Sequence, residues 1–373
     1  MKSVAEVLVV GAGIVGASCA AALAARGCRV RVLDAGLPGA SAAGMGHLVV
    51  MDDDPAELTL SARSLALWRE LVPQLPSAAD YRNCGTLWLA RNADELDLIE
   101  AKRQRLDAQG VANQPLNAAA TAAAEPALTT LAGSLEVPGD GLLYAPVVAA
   151  WLLQRSPLIE FQRARVTVVE GRRVRLDDGR WLSADAVVLA AGLQAASLCP
   201  DLPLVPKKGH LLITDRYPEQ VRHQLVEIGY GASAHAHASS GASVAFNVQP
   251  RPTGQLLIGS SRQFERPDMA VEPAVVGQLL RRALDYLPGL THTSLIRGWT
   301  GQRAASPDGL PLIGAHPDQP GLWLAVGHEG LGVTTAPATA EAIASGLFGE
   351  PSTFHVEPFA PARFPIAPRS QAC

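Results

Sequence analysis

Val7-Leu8-Val9-Val10-Gly11-Ala12-Gly13-Ile14-Val15-Gly16, continuing into Ala17-Ser18-Cys19-Ala20-Ala21-Ala22-Leu23-Ala24-Ala25, reads as an apolar strand, a glycine turn and a helix of small residues. In that order the three parts build a site for a pyrophosphate. Gly11 makes the tight turn, Gly13 leaves room for a phosphate to approach the backbone, Gly16 lets the helix pack close to the strand, and the helix N-terminus attracts negative charge. Glycines at this spacing are common, so the context has to decide. A second apolar run, Cys28-Arg29-Val30-Arg31-Val32-Leu33, ends in Asp34, close to the place, roughly 20 residues on, where a carboxylate meets the ribose of a dinucleotide. An acid there favours a free ribose over a 2′-phosphate.

The competing reading of residues 7–25 is a signal peptide or membrane span, because the run is uncharged and follows Lys2. The glycines would weaken such a helix by about 1 kcal/mol each relative to alanine. A leader also has no use for a second strand ending in an acid. No other uncharged run reaches the roughly 20 apolar residues of a crossing helix, so no transmembrane segment is expected. The location expected is cytoplasmic, at most peripheral to the inner membrane.

A chain of 373 residues suggests two domains at about 150 residues each. The net charge of −4 and the absence of Lys/Arg blocks argue against nucleic acid, whose usual footprint is a basic face. Five cysteines (Cys19, Cys28, Cys84, Cys199, Cys373) contain no CxxC pair, so neither a disulfide framework nor a zinc or iron–sulfur site is indicated, and no metal is expected.

The strand–turn–helix–strand opening is a βαβ unit and predicts a parallel sheet wrapped by helices. The small-residue stretch 36–46 reads as a loop where backbone meets ligand. A helix is expected over 54–75, ended by Pro73, then a strand over 85–90 and a charged helix over 95–109. Residues 165–169, 173–176 and 181–182 read as a meander around Asp177-Asp178-Gly179. The apolar run 186–192 suits a central parallel strand with both faces covered. From 202 to 262 the chain is strand-rich, with turns expected at Pro206-Lys207-Lys208-Gly209 and Pro252-Thr253-Gly254. Residues 321–332 repeat the strand and glycine turn, and 334–347 an alanine-rich helix. The fold expected is α/β: a discontinuous Rossmann-like nucleotide domain (1–80, 145–202, 300–358) with a second α+β substrate domain (81–144, 203–299) on a mainly antiparallel sheet. The tail, 359–373, has little pattern and reads as a surface strap or a disordered end.

Taken together, Val7 to Gly16, Asp34, Ser41 to Met45, Val187 to Gly192, the block Gly298-Trp299-Thr300-Gly301-Gln302-Arg303-Ala304-Ala305-Ser306-Pro307-Asp308-Gly309-Leu310-Pro311-Leu312-Ile313-Gly314 and Gly327-His328 resemble the FAD-dependent glycine oxidase and D-amino-acid oxidase family. The resemblance spans nearly the whole chain. It implies FAD as the cofactor and hydride transfer from the carbon beside an amine to the flavin N5, giving an imine that water hydrolyses. Within the family, Ser41 to Asp52 looks most like the flavoprotein subunits of cis-4-hydroxy-D-proline dehydrogenases, which are similar to the flavin subunits of hydrogen cyanide synthase and sarcosine oxidase. That likeness implies companion electron-transfer subunits or the respiratory chain as electron acceptor.

Carried over position by position, Gly11, Gly13, Ile14, Val15 and Gly16 would hold the FAD pyrophosphate, and Asp34, with Ala35, the adenosine ribose. Ser41 would bond a phosphate or ribityl oxygen, with Ala43, Gly44 and Met45 along the isoalloxazine. Val166 would meet the adenine, and Ala191 and Gly192 would let the sheet edge approach the cofactor. Gly327, His328, Gly330, Leu331, Gly332 and Val333 would cap the pyrimidine end of the flavin. Arg303 matches the position that grips the amino-acid carboxylate, a task suited to a planar guanidinium; the competing reading is an arginine satisfying loop carbonyls.

One departure stands out. Glycine oxidase has a second arginine in the glycine turn, where this chain has Gly330, which opens the pocket and favours a larger or cyclic amino acid over glycine. His47 keeps three readings: a polar group near the flavin or substrate, a covalent flavin attachment, or a packed core histidine. His210, His235, His237 and His328 have no metal spacing, and Tyr144 and Tyr230 are as consistent with packing as with a pocket. Three activities follow: an amino-acid dehydrogenase acting on a D-amino or secondary-amine acid, an oxidase of glycine, sarcosine or D-amino acids making hydrogen peroxide, or a non-catalytic FAD-binding protein.

Overall fold

In the computed structural model, which describes residues 5–229 and 241–364, the chain is organised around two large sheets. The first has six strands in the order Leu312–Ala315, Leu322–Val326, Ala186–Leu189, Glu6–Val10, Arg29–Asp34, Ile159–Arg163. All neighbours run parallel except Leu312–Ala315 and Leu322–Val326. Strand alternation explains how both faces are covered. Val7, Val9, Val30 and Val32 point to one side, against Cys19, Ala20 and Leu23 of the helix Ile14–Ala25 and Ile343 of the helix Gly332–Phe348. Leu8 and Val10 point to the other, onto Val166, Val169, Val174 and Leu176 of an antiparallel meander. This fully apolar sandwich places the C-terminal ends of Glu6–Val10 and Ala186–Leu189 side by side, where ligands bind in sheets of this kind.

The second sheet has eight strands in the order Leu295–Ala305, Val205–Arg216, Gln255–Phe264, Ser243–Pro250, Gln224–Glu227, Thr86–Ala90, Gly133–Val137, Gln114–Asn117. Only Gln224–Glu227 and Thr86–Ala90 pair in parallel. Helix Pro273–Tyr286 covers its outer face with Val275, Leu279, Ala283 and Tyr286, the apolar stripe of an amphipathic helix. Tyr286 stacks on Phe246 with ring centroids 4.1 Å apart. The inner face carries Leu211 and Leu257, which meet Met45 from the first sheet's loop.

The molecule is thus a mixed α/β protein, and several local expectations need correction. Pro206-Lys207-Lys208-Gly209 is no turn but part of the continuous strand Val205–Arg216. Buried lysines can stand in a strand because each finds an acid: Lys207 pairs with Glu329, and Lys208 with Asp268 and Glu272. The loop 36–46 contains a one-turn helix, Ala40–Ala43. Helix Pro55–Leu71 starts at Asp54, whose carboxylate accepts from the Ala56 and Glu57 amides, and passes into a 3-10 turn, Val72–Gln74, at Pro73. Helix Pro273–Tyr286 had no counterpart in the sequence reading. The tail from 359 is no loose end as far as it is described: Phe359 is fully buried and Arg363 pairs with Asp308 at 2.7 Å. Residues 365–373 lie outside the described residues, Cys373 among them. Among the described residues no helix is long and apolar enough to cross a membrane.

Candidate functional site

A cleft of about 1720 Å³ runs between the two sheets, beyond the roughly 300–1,000 Å³ of ordinary small-molecule sites. One end is the glycine turn. Gly11, at φ +108°, donates its N–H to the Leu33 carbonyl at 2.8 Å, and a Cβ there would stand 2.5 Å from the Ala190 carbonyl oxygen. Gly13, Ile14 and Val15 line the cleft. Gly16 does not; it lies behind the wall, where a Cβ would fall on the Gly11 carbonyl oxygen, so it acts by letting the helix approach and not by facing a ligand.

Helix Ile14–Ala25 has no acidic residue in its first turn, and its N-cap, Gly13, offers no side chain. The Ser41 hydroxyl accepts from the Ile14 amide at 3.0 Å. With Gly13, Ile14 and Val15 on the cleft wall, the N-terminus of this helix brings the positive end of its dipole to the cleft, a setting that suits an anion. Asp34 accepts from the amides of Ala12 (2.7 Å) and Gly36 (2.6 Å), tying the glycine turn to the end of the second strand. Ala35, Val166, Ala191 and Gly192 line this same end. A long cleft, a close-approach glycine turn, an anion-accepting helix end and a carboxylate past the second strand together fit an extended dinucleotide.

Toward the other end the wall passes through Ala43, Gly44, Met45 and His47. Trp299 donates its Nε1–H to the Ala43 carbonyl at 3.0 Å, and Gly301 is required opposite, since a Cβ there would stand 2.6 Å from the Ala43 Cβ. His47 is held by amides: its Nδ1 lies 2.7 Å from Gln224 Oε1 and its Nε2 3.2 Å from Asn247 Nδ2, with Gln249 Nε2 close to both Nδ1 and Gln224. One tautomer satisfies the first two contacts, with Nδ1 donating to Gln224 and Nε2 accepting from Asn247. Burial, outweighing the Gln224 bond, lowers the ring's pKa to about 4, and Arg303 lowers it further in the same sense. His328, buried and facing Thr339 at 3.0 Å, is lowered to about 3 by burial. Both rings are neutral at physiological pH.

Arg303 lies on the edge strand Leu295–Ala305 and lines the cleft together with Gly327, Gly330, Leu331, Gly332 and Val333. Its Nη1 donates to the Ser261 carbonyl at 3.1 Å, so the guanidinium meets a backbone carbonyl and the cleft at once. Two glycines make the space: a Cβ at Gly209 would stand 2.6 Å from Nη1, and one at Gly330 would stand 3.6 Å from Nε.

The sequence reading missed other charged groups of this end. Arg262, Asp53, Glu57 and Glu329 also line the cleft, and Glu329 pairs with the buried Lys207 at 2.7 Å. Glu57 sits at the start of helix Pro55–Leu71; burial first, then Asp53 and Glu329, push its carboxyl up to about 8. Glu329, next to His328 inside a quoted motif, was within reach of sequence reasoning. Lys207 and Arg262 lie on strands that carry no motif. Tyr144 is exposed and off the cleft wall, while Tyr230, His235 and His237 lie outside the described residues.

Among the described residues one cluster gathers metal-ligand types, Cys199, Asp201 and His316, away from this site. His316 Nδ1 accepts from the Asp318 amide at 3.2 Å, which leaves the proton on Nε2, 3.2 Å from Asp201 Oδ2. The Cys199 thiol donates to Asp201 Oδ1 at 2.9 Å, so the three side chains form a hydrogen-bonded clasp.

Residues 6–345 match the family model described as DAO, FAD dependent oxidoreductase. The chain belongs to this family. Its cofactor is FAD, and its chemistry is the FAD-dependent oxidation of an amine or amino acid. The glycine oxidase of Geobacillus kaustophilus is 28% identical over 375 residues, 95% of this chain and 96% of that protein. The crystal structure of that species' glycine oxidase superposes with a TM-score of 0.84 at 27% identity, covering 97% of this chain and all of that one. Hydrogen cyanide synthase subunit HcnC of Pseudomonas aeruginosa is 25% identical over 98% of each chain. A D-amino acid dehydrogenase of a Methylobacterium species is 28% identical over 79% of this chain and 71% of its own.

Proposed function

We propose that this DAO-family member is a dehydrogenase of D-amino or secondary-amine acids, with cis-4-hydroxy-D-proline as substrate, that passes its electrons to companion subunits or the respiratory chain. The observation that carries the reading is Arg303 on the cleft wall with Gly330 beside its Nε. An amino-acid carboxylate can take two parallel charge-assisted bonds from the guanidinium, and the missing side chain at 330 leaves room for a ring. The Ser261 carbonyl holds one edge of the guanidinium and so limits its rotation.

In this reading the glycine turn 11–15, Asp34, Ala35, Val166, Ala191 and Gly192 hold the nucleotide half of FAD, Ser41 a phosphate or ribityl oxygen, and Ala43 to Met45 with 327–333 the flavin half. When bound, the flavin accepts the hydride from the carbon bearing the nitrogen. His47, neutral and with both nitrogens engaged, acts as a fixed polar post beside the substrate and not as a base. The substrate amine needs only to be neutral when its hydride leaves, which asks no proton transfer of the protein at that step.

An oxidase making hydrogen peroxide is the second reading, favoured by the names of the glycine oxidase relatives. A non-catalytic FAD-binding protein would have no use for a guanidinium held at the cleft wall. The test is anaerobic bleaching of the purified holoenzyme by cis-4-hydroxy-D-proline, D-proline, sarcosine and glycine, repeated in air. The cyclic D-amino acids should bleach the flavin fastest, and the colour should return slowly in air. Equal bleaching by glycine would contradict the substrate, rapid peroxide formation would replace the dehydrogenase by the oxidase, and no bleaching by any of the four would contradict both.

A further inference from the structure

Carboxylate binding needs one cation, yet the wall around Arg303 carries an additional ion pair. Lys207 stands directly across from Arg303 in the register between strands Val205–Arg216 and Leu295–Ala305 and is only 2% exposed. Its Nζ lies 2.7 Å from Glu329 Oε2. Glu329 is itself pinned: its amide donates to the carbonyl of Ala304, the residue after Arg303, at 3.2 Å, and the next residue, Gly330, abuts the guanidinium. Its backbone occupies φ +44°, where glycine or asparagine would sit at lower cost. The glutamate therefore adds something the turn itself does not require, a carboxylate on the cleft wall that also carries Arg303.

Such a carboxylate is a built-in competitor for a substrate's. Released from Lys207, it would be left in a cleft whose wall it shares with Asp53, Glu57 and Arg303, of which the guanidinium is the group that attracts it. We propose that Lys207 sequesters Glu329 from Arg303, so that this carboxylate does not compete with the substrate's for the guanidinium and Lys207 and Glu329 are positioning residues for substrate binding. Burial works against the lysine's charge, and the Glu329 carboxylate is the contact that sustains it. The arrangement is reciprocal: Glu329 keeps the lysine charged, and the lysine keeps the carboxylate off Arg303. The inference rests on the reading of Arg303 as the carboxylate-binding residue.

The test compares a carboxylate substrate, D-proline, with the same ring lacking the carboxylate, pyrrolidine, in anaerobic flavin reduction by the holoenzyme. In Lys207→Met the dissociation constant for D-proline should rise by about tenfold or more, with the limiting rate within about twofold and pyrrolidine unaffected. In Lys207→Met/Glu329→Gln it should return to within roughly threefold of wild type, because the competitor is gone. A structural role would affect both ligands and would not be rescued. An unchanged constant in Lys207→Met, or no rescue in a double variant that keeps its FAD, overturns the inference. If Lys207→Met fails to fold, Glu329→Gln alone decides: D-proline binding unchanged or tighter supports sequestration, and weaker binding overturns it. Arg303→Lys separates the two levels. If it keeps the preference for D-proline over pyrrolidine, the functional reading falls and this inference with it. If it abolishes the preference while Lys207→Met binds normally, only this inference falls.

Discussion

At the glycine-turn end of the cleft, most of the groups lie within residues 11–41, joined by Val166, Ala191 and Gly192, and most of the work is done by backbone. At the arginine end, the groups come from His47, Glu57, Lys207, Arg262, Arg303 and Glu329, brought together by strand pairing and by one left-handed turn. The first end tolerates little change of shape, because a Cβ at Gly11 or Gly16 would fall on neighbouring backbone. The second is a balance of charges on flexible side chains. Damage to the first should therefore cost the cofactor, and damage to the second the substrate.

The largest effect belongs to a residue that faces no ligand. Gly16→Val would drive a side chain into the Gly11 carbonyl, a backbone overlap that neither strand nor helix can relieve cheaply, with overpacking costs of about 1–3 kcal/mol or more. The purified variant should carry little FAD, read as flavin absorbance per chain, and full occupancy would show that the helix can move away. Next comes Arg303→Lys, which keeps the charge but loses the fork. It should retain FAD and lose about 1.5–3 kcal/mol of substrate binding, roughly ten- to hundredfold in kcat/KM for every carboxylate substrate. A variant that lost its flavin instead would erase the distinction between the two ends.

Gly330→Arg should have a smaller and more selective effect. The new side chain would crowd Arg303, so reduction by D-proline should slow by roughly tenfold while glycine gains relative to it. An unchanged ratio of the two rates would show that position 330 does not set pocket size. The smallest effect is on stability. Glu57 keeps its proton in the folded chain up to about 8, whereas the unfolded chain releases it near the ordinary glutamate value of 4.5. Folding thus takes up a proton in that window, and this group's contribution to stability is lost as pH rises from about 4.5 to about 8. Glu57→Gln should flatten the fall in Tm between pH 6 and pH 8.5 by roughly a degree or two, and parallel profiles would refute the assignment.

The same contrast explains what could be read from sequence. Gly11, Gly13, Asp34 and the strand 186–189 were legible because local spacing and alternation encode them. Arg303, Gly330 and Gly327-His328 were legible only as a resemblance, since nothing in their spacing says what they face. Lys207-Lys208-Gly209 misled because lysines beside proline and glycine resemble a surface turn. Their acids come from distant segments, Glu329 from the glycine turn and Asp268 and Glu272 from the stretch before helix Pro273–Tyr286, while the edge strand supplies the guanidinium that fills the space over Gly209. Helix Pro273–Tyr286 carries an amphipathic stripe that was there to be read. The amide cage around His47 was not, because Gln224, Asn247 and Gln249 meet it across about 200 residues of chain.

The central claim is that Arg303 selects the substrate through its carboxylate. It is tested most directly by anaerobic reduction of wild type and Arg303→Lys with D-proline and with pyrrolidine. Wild type should favour D-proline by roughly a hundredfold, and the variant, still yellow, should lose most of that preference by slowing with D-proline alone. A variant that keeps the preference, or that slows equally with both amines, would contradict the account.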